Sequence, residues 1–211
     1  MKSNMNIEDL GLIPYEKAWQ KQKEAVSRVI AGGQECLFFC EHPPVLTLGR
    51  SASRKNLLVP PDELANRGIR VLDVDRGGDV TLHAPGQLVA YPILDLNRRG
   101  RDLHRYLHQL EEVGIDFLRG FGIVSVRVSG KTGVWVKDRK LIAIGIGVRQ
   151  WVAYHGIGIN VKTDLSLFSL IRPCGLFEGV TSIEQCIGNA VDMAEAKDRL
   201  GKIFRDDFGV Q

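Results

Sequence analysis

Long apolar runs are missing from this chain. No stretch approaches the roughly 18 consecutive apolar residues of a membrane-crossing helix. Met1 to Pro14 carries no basic-then-apolar leader pattern. The expectation is a cytoplasmic protein with no membrane partner. A strong charge bias is missing too: 28 Lys and Arg against 25 Asp and Glu leave a net charge of +3. Nucleic-acid binders concentrate basic charge in runs or on one face, so no nucleic-acid partner is expected. The short clusters Arg98-Arg99-Gly100-Arg101 and Lys137-Asp138-Arg139-Lys140 are the basic exceptions, and the first reads as a solvated loop.

Cysteine is scarce. There are 4, Cys36, Cys40, Cys174 and Cys186, and no Cys-x-x-Cys pair, which argues against a zinc ribbon and a thioredoxin-type redox site. A reducing compartment argues against structural disulfides. Phosphate-binding signatures are absent: no Gly-x-Gly-x-x-Gly opens a helix, and there is no P-loop. No Gly-x-Ser-x-Gly elbow is present either. His104 and His108 lie one helical turn apart, but no third ligand follows at a useful spacing. They read as a solvated helix face, and neither a metal nor a cofactor is expected.

The rest is a chain of 211 residues, 44% of them hydrophobic, enough for one domain over residues 1–211 with a substantial core. Tyr15, Ala18, Trp19, Ala25, Val26, Val29 and Ile30 form a helical stripe that Gly32-Gly33 ends. Strands are predicted at 36–40, 45–48, 71–74, 80–83, 88–94, 124–128, 134–136, 141–148 and 151–161, the last two joined as a hairpin at Arg149-Gln150. A loop with one helical turn fills 49–70. A second helix is predicted over 102–119, and a third starts near Asp192, with Glu195 three positions on. Helices around adjacent antiparallel-looking strands indicate an α+β fold with a mixed, largely antiparallel sheet.

Cys174 stands in Arg172-Pro173-Cys174-Gly175. Proline cannot continue a helix and glycine frees the backbone, so this thiol sits in a turn. Cys36 and Cys40, inside an apolar strand, read as core, and Cys186 as packing on a partly buried helical turn. A thiol reacts as thiolate, and nearby positive charge favours that form. Lys140 is a candidate source, although a solvated turn lysine is the plainer reading. In Arg76-Gly77-Gly78-Asp79-Val80-Thr81-Leu82-His83 two glycines before a strand let backbone approach a ligand closely. The competing reading there is a tight hairpin followed by a histidine satisfied in the core. Gly145-Ile146-Gly147 and Gly156-Ile157-Gly158 put four glycines into neighbouring strands, the mark of a groove where something lies against bare backbone.

These residues together resemble the signature of the lipoyl(octanoyl) transferases. The resemblance is carried by Glu41-His42-Pro43-Pro44-Val45 with Thr47-Leu48-Gly49, then Arg76-Gly77-Gly78 with Thr81, His83, Pro85-Gly86-Gln87 and Tyr91-Pro92. Lys140-Leu141-Ile142-Ala143-Ile144-Gly145, His155-Gly156 with Asn160-Val161, and Pro173-Cys174-Gly175 follow in the family's order. Asp79 departs from an expected glutamine or glutamate, Leu82 from an aromatic, and Ala84 and Ala90 from glycines, differences that bear on pocket shape.

The resemblance implies a fold like the biotin and lipoate protein ligases. It implies transfer of octanoyl from acyl carrier protein to a lysine of a lipoyl domain, whether of a 2-oxoacid dehydrogenase complex or of glycine cleavage H protein. It implies Cys174 as the acyl-thioester carrier and Lys140 as the group that lowers its pKa. It implies an acyl pocket of Arg76, Gly77, Gly78, Asp79, Val80, Thr81, Leu82 and His83, with Ala143, Ile144, Gly145, Gly156, Ile157 and Gly158. The alternatives are an ATP-dependent lipoate or biotin protein ligase, a non-catalytic acyl or lipoyl binding module, and a cysteine-dependent thioesterase.

Overall fold

The computed structural model describes residues 5–172 and 179–209. Its centre is a 7-stranded mixed sheet built from β1 (Asn6–Leu12), β2 (Cys36–Glu41), β6 (Gln87–Asp95), β7 (Val126–Val128), β8 (Lys131–Val136), β9 (Arg139–Arg149) and β10 (Val152–Asn160). The strand order is β1-β2-β6-β10-β9-β8-β7, parallel at β1–β2 and antiparallel elsewhere. A second sheet has 3 strands, β3 (Val45–Leu48) between β4 (Arg70–Asp73) and β5 (Val80–His83).

Residue alternation builds the layers. In β2, Leu37 and Phe39 turn to one face, and Cys36, Phe38 and Cys40 to the other. In β6, Leu88, Ala90 and Leu94 join the first face, and Val89, Tyr91 and Ile93 the second. Helices α3 (Leu103–Arg119) and α5 (Met193–Phe208) cover the first face through Tyr106, Val113, Phe117, Leu200 and Phe204. Helix α1 (Tyr15–Ile30) covers the second through Tyr15, Ala18, Ala25 and Val29. Covered on both sides, β10 is buried along its whole length. The small sheet has its own core, where Leu46, Val80 and Leu82 meet Leu64 of α2 (Pro61–Asn66).

Asp102 caps α3 by accepting from Arg105 N–H at 3.0 Å, and Asp192 caps α5 by accepting from Ala194 N–H at 2.6 Å. Glu195 does not reach back to complete a capping box; it pairs with Arg199 at 3.3 Å. Among the described residues, no helix is long and apolar enough to cross a membrane.

Four expectations need correction. Strand β1 is absent from the sequence reading; its residues alternate poorly and it is held as an edge by parallel pairing to β2. The β9–β10 hairpin turns at Gln150-Trp151, one residue later than expected, with both residues at positive φ (49° and 63°), the twist a two-residue hairpin loop demands. Cys186 is exposed on the short helix α4 (Ile183–Ile187), whose buried position is Ile183. Arg99 is not a solvated loop residue. It sits in a 3₁₀ turn (Leu96–Arg99) and clamps buried Glu35 at 2.5 and 2.8 Å, also donating to Phe208 O at 3.0 Å. That clamp ties β2, β6 and the end of α5 together.

Removing one partner of a buried pair leaves the other charge uncompensated. Glu35→Ala should therefore lower unfolding free energy by about 3 kcal/mol in urea titration. Arg98→Ala, whose partner Asp95 it meets on the surface, should cost less than about 0.5 kcal/mol.

Candidate active site

A cavity of about 490 Å³ opens between the α1 face of the large sheet and β5 of the small one. That size suits a small-molecule chain. Strands β9 and β10 form one wall. Their register sets Gly158 beside Ala143 and Gly156 beside Gly145. A Cβ on Gly145 would stand 2.9 Å from Gly77 O, and one on Gly156 would collide with Ala90 O. A side chain at Gly145 would press on Gly77 across the slot, and one at Gly156 would press on the neighbouring strand β6. The Arg76–Gly78 turn closes over the wall through Gly77 N–H to Ile146 O at 2.7 Å. Arg76 is itself buried, donating to Thr47 O at 2.6 Å and Thr47 Oγ1 at 2.9 Å.

Lys140 is the second residue of β9, after the two-residue turn Lys137-Asp138. Its backbone N–H and C=O are both held by residues 179–181, a few positions after Cys174 in the chain. Lys140 N–H donates to Gly179 O at 3.0 Å, and Lys140 O accepts from Thr181 N–H at 3.0 Å. Its aliphatic stem passes over Gly133, and Nζ lies 4.9 Å from the centre of the Trp135 ring, a cation–π distance. Cys174 itself lies outside the described residues.

A polar cluster forms the inner wall, and its proton positions follow from what each partner can do. Asp75 can only accept, so His155 Nε2–H donates to Oδ1 at 2.7 Å, and Tyr154 donates to Oδ2 at 2.7 Å. His155 Nδ1 is then an acceptor and faces the Tyr15 hydroxyl at 3.4 Å. His155 has φ +57°, and its N–H leaves the ladder to reach Gln22 Oε1 at 2.8 Å. His42 Nδ1–H donates to Ile13 O at 2.7 Å, and its Nε2 accepts from Tyr91 at 2.9 Å. Tyr15 stacks on His83, with ring centres 5.5 Å apart.

Burial keeps these imidazoles neutral. It pulls His42 down to about 4 and His83 well below the ordinary histidine value. It lowers His155 as well, although Asp75 opposes the shift. Burial alone would raise Asp75, yet the hydrogen bonds from His155 and Tyr154 outweigh it and hold the carboxyl at about 2.

The expected pocket residues gather here with one exception. Arg76, Gly77, Gly78, Asp79, Val80, Thr81, His83, Lys140, Ala143, Ile144, Gly145, Gly156, Ile157 and Gly158 all line the cavity. Leu82 does not; it is fully buried within the small sheet's core. Ala84 and Ala90 are also buried off the cavity, so of the four departures noted above only Asp79 touches it. Asp79 accepts from Ser53 N–H at 3.1 Å and from the Asn56 side chain, tying down the loop beside the mouth. His83 satisfies both readings at once: it is hydrogen-bonded in the interior and lines the cavity.

Sequence reasoning did not place Tyr15, Asp75 and Tyr91 in the site. Tyr15 carried only a helical-stripe signal, and nothing local marks Asp75 as the partner of a residue 80 positions later. His104 and His108 are exposed on α3, as expected, and no metal-ligand cluster occurs among the described residues.

His42 is neutral in the folded state and titrates near 6.5 when unfolded. The unfolded chain binds the extra proton, so this contribution is complete above about pH 6.5 and is lost as pH falls toward about 4. His83 and His155 shift in the same direction. Thermal unfolding should show Tm falling across that window. His42→Gln should flatten the fall, with up to about 3 kcal/mol of pH dependence removed.

Comparison with known proteins agrees with this geometry. Residues 14–205 match the family described as Lipoyl protein ligase A/B catalytic domain. An octanoyltransferase of Geotalea uraniireducens (strain Rf4) is 46% identical over 209 residues, covering 97% of this chain and 94% of that protein. Among solved structures, a putative lipoate protein ligase from T. acidophilum superposes with a TM-score of 0.78 at 16% identity, covering 100% of this chain and 87% of the other. Biotin protein ligase from Aquifex aeolicus gives a TM-score of 0.59 at 14% identity, covering 96% and 69%. At such identities these two likenesses establish the fold alone, and it is the ligase-like fold the sequence implied. The chain belongs to the lipoyl protein ligase A/B catalytic-domain family, on its octanoyltransferase branch.

Proposed function

We propose that the chain is an acyltransferase of protein lipoylation that moves an octanoyl group from octanoyl-acyl carrier protein to a lysine of a lipoyl domain, through a thioester on Cys174. The same reading takes residues 1–211 as a single catalytic domain working in the cytoplasm. The observation that carries it is the cavity: a slot with bare-backbone walls at Gly145 and Gly156 and Lys140 in its lining.

The described chain on either side of Cys174 supports the pairing with Lys140. Arg172, two positions before the cysteine, donates its N–H to Asn56 O at 2.8 Å, and Gly179, five positions after it, is bonded to Lys140. Two extended residues cover at most about 7 Å and five about 17 Å. Tethers of that length let the thiol reach the Lys140 ammonium.

The chemistry balances without an external energy source. The Cys174 thiolate attacks the carrier's thioester carbonyl, a new carbon–sulfur bond forms, and the carrier thiolate leaves with a proton from Lys140. One thioester replaces another. The acceptor lysine's neutral amine then attacks the acyl-cysteine, the Cys174 sulfur leaves as thiolate, and the amine's proton passes to Lys140. The amide product makes this second step downhill, and the starting ion pair is restored. Two carrier proteins thus use one site in turn.

Incubation with octanoyl-acyl carrier protein should add one octanoyl mass to the wild type and none to Cys174→Ala. A wild type that never acquires the adduct, or one that transfers acyl only with ATP and free acid, sinks the proposal. Lys140→Ala should raise the pH at which iodoacetamide labels Cys174 by about one unit or more. An unchanged labelling profile removes Lys140 from its role.

A further inference from the structure

The cavity of an enzyme for a plain hydrocarbon chain should show only satisfied polar groups to that chain. Among the described residues, β5 turns two side chains to it that are not. Val80 and Leu82 pack into the small sheet's core, so Thr81 and His83 share the opposite face of β5, and both line the cavity. Their Cα atoms stand about 7 Å apart along the strand.

The proton on His83 is decided by a chain of hydrogen bonds that starts at backbone. Thr181 O can only accept, so Asn160 turns its NH₂ to it at 3.1 Å and its Oδ1 toward Gln87. Gln87 Nε2 donates to Asn160 Oδ1 at 3.0 Å and to Leu82 O at 3.2 Å, leaving its Oε1 for His83 Nδ1 at 2.7 Å. His83 Nδ1 therefore carries the hydrogen, and Nε2 is a bare lone pair. His83 is 8% exposed, and no hydrogen bond to Nε2 is made by any described residue. The Thr81 hydroxyl also lacks a partner among the described residues. One group can only accept and the other can donate. A hydroxyl placed between them would satisfy both at once.

We propose that Thr81 and His83 form a polar subsite for a hydroxyl on the acyl chain, so that hydroxylated medium-chain acyl thioesters are a second substrate class beside the plain chain. With the plain chain a water completes the pair, and a hydroxyl group takes that water's place. The inference rests on the acyl-cavity reading given above and adds which chains the cavity accepts.

The test compares octanoyl with a panel of monohydroxyoctanoyl thioesters, the hydroxyl walked along the chain, all on the same carrier. Adduct formation is followed by intact mass in wild type, Thr81→Val and His83→Phe. Wild type should accept at least one hydroxylated chain within about threefold of octanoyl, and the hydroxylated-to-plain ratio of kcat/KM should fall at least about tenfold in both variants. Calorimetric binding of the free hydroxyoctanoic and octanoic acids should show the same change in ratio, which serves if a variant turns over poorly. An unchanged ratio in both variants, or a wild type that loads octanoyl but no hydroxylated chain, overturns the subsite and leaves a water site only. A wild type that loads no chain at all overturns the reaction proposed above, and the acid-binding ratio still decides the subsite.

Discussion

Two backbone hydrogen bonds at Lys140 hold the site together. Its N–H reaches Gly179 and its C=O receives Thr181, so residues 179–181 lie along the start of β9. The same segment orients the cavity, because Thr181 O fixes Asn160, Asn160 fixes Gln87, and Gln87 fixes His83. Shifting residues 179–181 would move the lysine's surroundings and the histidine's tautomer together. Backbone groups make suitable anchors, since their donor and acceptor roles never change with pH.

The inner wall obeys a different constraint. It gathers three histidines, three tyrosines and an aspartate in a space where burial penalises charge. The interior accepts them because most of their polar atoms are paired with groups that cannot be displaced: Ile13 O for His42, and the Gln22 side chain for the His155 backbone. The cost is concentrated in the folded state's refusal of protons. Its imidazoles are neutral near pH 7, which suits contact with an uncharged acyl chain.

Strand alternation sorts neighbours in the sequence into different worlds. Thr81 and His83 reach the cavity while Leu82, between them, closes the small sheet's core. A motif read as a continuous block therefore assigns Leu82 to the pocket wrongly. The glycines behave differently: Gly145 and Gly156 were legible as a groove because glycine in a buried strand has few other uses. The hairpin turn lay one residue off because Gln150-Trp151 contains none of the residues that usually announce positive φ.

The residues themselves determined the long helices, through the 3.6-residue stripe of α1 and the Asp192 cap, and most strands, through short apolar runs between breakers. They determined the family as well, because the motifs occur together and in order. Only the tertiary structure decided that Asp75 meets His155, that Arg99 clamps Glu35, and that β1 adds an edge to the sheet. Each of these joins residues far apart in the chain by charge or backbone pairing. Local pattern carries information about a residue's own helix or strand. The partner across a fold is chosen by packing of the whole chain.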